Sequence, residues 1–231
     1  MAGNKMHPLA GVRGASLRDF ALTALLVLEA TILFIAAPLA SMGYREPLLI
    51  GGLLGVPLVL SIVIISPNRG ARILAALATA LAAGGAAFRI DHPSLVSFWL
   101  GHLAVIMGVL AMSLVIGKAV FAPGRITHHR IEGAIILYLN IAVAFTSLYR
   151  LISELDPAAF TEIPMHQAEA AAASGMLYFS FTTLTSTGFG EILPVNPFAR
   201  SMANLESVLG QLYLAILLAR LVTMHVETRR N

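Results

Sequence analysis

Residues 177–194 read LYFSFTTLTSTGFGEILP, and the fold turns on how that stretch is taken. Leu177, Tyr178, Phe179 and Phe181 open it as the end of an apolar helix. Thr182, Thr183, Thr185, Ser186, Thr187, Gly188, Phe189 and Gly190 follow. Such a run of hydroxyls and glycines makes a poor membrane helix and a poor core strand. It suits a backbone that turns its carbonyl oxygens inward. Gly188 and Gly190 can take positive φ, and alternating ordinary with left-handed residues aims successive carbonyls at one axis. Pro194 and Pro197 then end regular structure.

Around this stretch the 231 residues are 58% apolar and only 12% charged, with a mean hydropathy of +0.83. That excludes a soluble globular protein and specifies an integral membrane protein, with the lipid bilayer as its first partner. The absence of cysteine removes disulfides and thiolate metal sites. A net charge of +3 is too small to argue for nucleic acid, and no soluble partner is predicted. Apolar runs long enough to span a bilayer are predicted near 20–39, 48–65, 71–88, 95–120, 133–152 and 199–224. The first is too long for a signal peptide and is read as a retained span. The hinge Ala122-Pro123-Gly124-Arg125 divides a four-span bundle, residues 1–122, from a two-span unit, residues 123–231.

In this arrangement Lys5, Arg13, Arg18, Arg69, Arg72, Lys118, Arg125, Arg130, Arg220, Arg229 and Arg230 share one side. Only Arg45, Arg89, Arg150 and Arg200 lie on the other. The positive-inside rule therefore puts both termini in the cytoplasm and the 177–194 stretch outside.

The stretch resembles the pore helix and selectivity filter of the tetrameric potassium-channel superfamily, whose usual filter is TVGYG. Ser186-Thr187-Gly188-Phe189-Gly190 differs from it at three positions, all conservatively. The resemblance implies an all-α membrane protein with six transmembrane helices, a re-entrant pore helix and a filter, in the homotetrameric cation-channel fold. One filter per chain implies three further copies around the axis. Carbonyls of Thr187, Gly188 and Phe189, with the carbonyl and hydroxyl of Ser186, would replace the hydration shell of a potassium ion. The helix before them, about 174–185, would direct its negative end at the cation. Thr185 is placed with the filter's support, Tyr178 and Phe179 at an aromatic cuff, and Glu191 where the family usually carries Asp. Gly210, 22 positions beyond Gly188, matches the gate-hinge glycine; close packing is the equal alternative. No metal other than the conducted ion, no further cofactor and no catalytic residue is expected.

Other features are read without the resemblance. Glu154, Asp156, Glu162, Glu169 and Glu191 crowd the outer loop and would make a channel mouth negative. For Glu162 and Glu169 the reading is a solvated loop. Glu206 lies at membrane depth and needs a partner; it is expected behind the filter, on Thr182 or Thr183. Glu29 and His102 are expected to form a structural polar pair. Gln211 either faces the cavity or bonds between helices. His128 and His129 are read as surface residues.

From Leu95 to Gly117 there is no Lys or Arg, so the fourth span lacks the charges of a voltage sensor. The chain stops at Asn231, so no cytoplasmic ligand-binding domain is expected. The sequence thus predicts a potassium-selective, non-voltage-gated channel in a bacterial inner membrane. The alternatives are a non-selective monovalent cation channel of the same fold and a non-conducting regulatory subunit. A secondary transporter would show repeats with paired broken helices, and none is visible. An intramembrane hydrolase built on Ser174 with His102 or His166 lacks a nucleophile elbow.

Overall fold

The computed structural model describes residues 22–43, 69–70, 73, 76–78, 80–81, 95–122, 127–161, 169–188 and 190–230. Four helices among them are long and apolar enough to cross a membrane. Helix α1, Leu22–Ser41, contains one wide π turn at Ile32–Ala36. Helix α2 is Leu95–Val120 and α3 is His128–Leu155. The shorter α4 is Glu169–Leu184, and α5 is Pro197–Arg230. The span predicted at 48–65 lies outside the described residues. The described positions between 69 and 81 are helical.

Two helices begin earlier than hydropathy predicts, for reasons of capping. Asn196 caps α5 by accepting the Phe198 N–H on Oδ1 at 2.7 Å, with Pro197 at the first helical position where no donor is needed. The α3 helix starts at polar His128 because Thr127 O accepts the Arg130 and Ile131 N–H groups.

The α2–α3 pair is the base of the molecule. The two helices run antiparallel through the short connection after Val120 and stay in contact at both ends. Near the connection, a Cβ on Gly133 would come within 2.9 Å of Val120 Cγ2 and 3.0 Å of Ile116 Cγ2. At the far end the Arg150 guanidinium lies 5.4 Å from the Phe98 ring centre. Leu25 of α1 joins Ala111, Met112, Ile116, Val120, Ala134, Ile136 and Leu137 in one buried cluster.

Helix α1 also reaches Glu132 of α3 and the helix α4. Thr23 Oγ1 lies 3.0 Å from both Glu132 carboxylate oxygens. Beyond the π turn, Ala37–Ser41 packs on α4, and Phe34 stacks on Phe181 at 5.3 Å. Glu29 is buried, and its Oε2 has no hydrogen-bond partner among the described residues. His102 packs on Phe98 at 4.5 Å, and the expected Glu29–His102 bond does not form.

Candidate functional site

Helix α4 ends at Leu184, and its last four carbonyls must find donors outside the helix. All four do. Phe181 O accepts Thr185 N–H and Thr185 Oγ1; Thr182 O accepts Thr187 and Gly188 N–H; Thr183 O accepts Ser186 N–H and, from α5, Ser207 Oγ. Leu184 O accepts Tyr138 Oη from α3 at 3.3 Å. The Thr187-to-Thr182 and Ser186-to-Thr183 bonds make a Schellman cap, with Ser186 in the left-handed position glycine usually fills. Its φ is +54°. Gly188 follows at +105°, so left-handed residues stand two apart. A Cβ on Gly190 would lie 2.8 Å from the Tyr178 hydroxyl. Phe189 lies outside the described residues.

The hydroxyls of this turn are ordered. Thr185 gives its proton to Phe181 O at 2.7 Å, so Thr187 supplies the proton of the 2.8 Å Thr185–Thr187 bond. Ser186 Oγ accepts from Gln211 Nε2 of α5 at 3.0 Å, so Gln211 reaches the turn and not another helix. Residues 185–188, 190 and 191 are exposed in the single chain.

Behind the turn sits a buried polar knot that joins three helices. Glu206 is fully buried. Its Oε2 accepts from Tyr149 Oη of α3 at 2.6 Å, and its Oε1 lies 2.5 Å from Ser180 Oγ of α4. Ser180 also lies 2.9 Å from Ala142 O but has one proton. Thr146 Oγ1 already serves that carbonyl at 2.8 Å, so the Ser180 proton belongs with the carboxylate. The partners of Glu206 are therefore Ser180 and Tyr149 in place of the expected Thr182 or Thr183. The hydroxyl of Thr183 turns back to Phe179 O, and Ser207 holds Thr183 through its carbonyl.

Tyr149, Phe160 and Phe179 surround this knot with edge-to-face rings at 4.9 to 5.7 Å, the spacing aromatic pairs prefer. Phe179 is buried, whereas Tyr178 is 47% exposed, so the two expected cuff residues face opposite ways.

On the far side of the turn, residues 159–161 and 191–196 are stitched together. Phe160 and Pro194 form an antiparallel bridge. Thr161 N–H donates to Leu193 O, and Leu193 N–H to Thr161 Oγ1, each at 2.9 Å. Asn196 Nδ2 reaches Asp156 Oδ2 at 2.8 Å. Glu191 is exposed next to this seam. Glu162 lies outside the described residues, and Glu169 is the first residue of α4.

Gly210 is where α5 touches the end of α4. A Cβ there would overlap the Leu184 carbonyl, and α5 continues unbroken through it. Ser180, Tyr149, Tyr138 and Ser207 are the site residues the sequence alone does not single out.

Comparison with known proteins places a family on this part of the chain. No curated protein and no solved structure matches. A family model described as an ion channel matches residues 134–227, which takes in most of α3, all of α4, the turn and nearly all of α5. That match supports an ion channel family for the unit that carries the site.

Proposed function

We propose that the chain is one subunit of a potassium-selective channel that is not voltage-gated, with four copies around the conduction axis. The observation that carries this reading is the turn after α4. It combines a hydroxyl-rich helix end, left-handed Ser186 and Gly188, and full exposure in the single chain. It also has rigid backing from Glu206, Tyr149 and Ser180. A segment so firmly held from behind, yet open in front, suits a surface that neighbouring copies complete. In that assembly Ser186, Thr187, Gly188, Phe189 and Gly190 offer the oxygens that strip a potassium ion of water. Glu191 supplies negative potential at the mouth. Thr185 and Tyr178 brace the turn from the helix side. Gly210, free of a side chain against Leu184 O, is where α5 can pivot. The orientation follows the charge count, with both termini cytoplasmic in a bacterial inner membrane.

The test is ion uptake into liposomes holding the purified full chain, comparing potassium, rubidium and sodium. Potassium and rubidium uptake that far exceeds sodium, and that vanishes in a Gly188→Pro variant, is the expected result. Equal sodium uptake would replace this reading with a non-selective cation channel, and no uptake with a non-conducting subunit.

A further inference from the structure

Helix α5 is held to its own chain along one stripe. Glu206, Gly210, Tyr213, Leu217 and Arg220 follow at intervals of three or four, the spacing of one helical face. Glu206 and Gly210 meet α3 and α4 as described above. Tyr213 Oη donates to Ala134 O at 2.7 Å, and Leu217 packs on the α1–α2–α3 cluster.

The stripe ends on a contact that serves no part of the site. Arg220 Nη2 donates to Phe121 O at 2.6 Å and to Ala122 O at 2.9 Å. Its guanidinium also stacks 5.1 Å from the Phe121 ring centre. Arg130 of α3 donates to the same Ala122 O at 2.7 Å. These carbonyls stand just past the end of α2, where the helix leaves partial negative charge and unfilled acceptors. Arginine within an apolar span is costly and normally reaches for water. Here it caps another helix, with Nη2 giving two charged bonds at once.

We propose that Arg220 is a positioning residue for conduction: it fixes the C-terminal end of α5 against the end of α2, and so couples the four-span half of the chain to the pore. This rests on the channel reading above. A four-span half without gating charges then still governs the pore, as the anchor that determines how far the end of α5 can travel. The filter is remote from this contact, so the anchor sets how often the pore is open and leaves its selectivity alone.

Single-channel recording of the full chain in planar bilayers tests this, using its cysteine-free background. Arg220→Ala is expected to shift the open-to-closed ratio about tenfold, the size of losing one charged hydrogen bond. Unitary conductance and potassium-over-sodium selectivity stay as in the parent. Arg220→Lys, which keeps the charge but loses the planar group stacked on Phe121, falls between. In the double variant Ala122→Cys/Arg220→Cys, a short bis-methanethiosulfonate, which forms a disulfide with each cysteine and releases methanesulfinate, is expected to return the ratio toward the parent value. Reduction restores the released value, and the linked protein runs as a single chain on a denaturing gel. An unchanged ratio in Arg220→Ala, or one insensitive to the tether, overturns the proposal, as do linked dimers in place of linked single chains. Should Arg220→Ala not fold, Phe121→Ala, which keeps Arg220 and removes the ring it stacks on, is expected to shift the same ratio, and an unchanged ratio overturns the proposal. A parent that passes no ion overturns the channel reading itself, which is a different result from a conducting parent indifferent to Arg220.

Discussion

Ser186 occupies a backbone position that glycine fills in most helices ending this way, and it brings a hydroxyl that glycine lacks. The two properties can be separated. Ser186→Gly relieves the left-handed strain and removes Oγ, so thermal stability should hold or rise slightly while potassium uptake falls several-fold. Ser186→Val keeps the bulk but is β-branched at positive φ, and should lower stability by about 1–2 kcal/mol. Differential scanning fluorimetry in detergent, set beside liposome uptake, reads both. At the polar knot, Tyr149→Phe leaves one buried carboxylate oxygen without its donor and should destabilise by about 1–3 kcal/mol. Glu206→Gln is expected to reduce uptake several-fold, and unchanged conduction and gating would remove Glu206 from the support of the turn. Glu206 was legible in the sequence because a carboxylate in an apolar span demands a partner. Its partners were not. Ser180 is one hydroxyl among many in α4, and Tyr149 one aromatic in an apolar helix. Only the crossing of α3, α4 and α5 singles them out.

Among elements, α4 and α5 meet through the Gly210–Leu184 contact, and here glycine's worth is the missing side chain. Gly210→Ala sets a methyl against a backbone carbonyl that cannot swing aside, which should displace the turn and abolish uptake. Gly133→Ala meets the Cγ2 methyls of Val120 and Ile116, stiff at χ1 but yielding by a small shift of α2, so its cost should stay within about 1–3 kcal/mol with uptake retained. Comparing the two variants by melting temperature and flux checks the distinction. The sequence marked α2 to its ends because an apolar run and a charge-poor face coincide there. It misjudged the starts of α3, which takes in polar His128, His129 and Arg130 after Thr127, and of α5, where the Asn196 cap starts the helix at Pro197. It gave no hint that α1 would lie on α4, since nothing in an apolar stretch names the neighbour it will choose.

For the molecule as a whole, α5 turns Leu205, Val208, Leu209, Leu212, Ile216, Leu218 and Val222 away from its own chain, a face for hydrocarbon or for the neighbouring copies of the proposed assembly. Native mass spectrometry from detergent should give four copies, and a dimer or monomer would defeat the proposed assembly. With no Lys or Arg from Leu95 to Gly117, the open fraction should be nearly flat with voltage, since each charge crossing the field contributes only about 2.3 kcal/mol per 100 mV. A steep conductance–voltage relation would contradict that directly.

The wide turn at Ile32–Ala36 has a consequence for how one rod serves two neighbours. An extra residue in a single turn rotates everything beyond it by about 100° relative to an unbroken spiral. The face that Ala37–Ser41 lays on α4 is therefore turned from the one an unbroken helix would bring there. Deleting one residue there would straighten the phase and swing the upper seam away from α4 toward hydrocarbon, so the miscounted turn acts as a swivel built into the covalent chain.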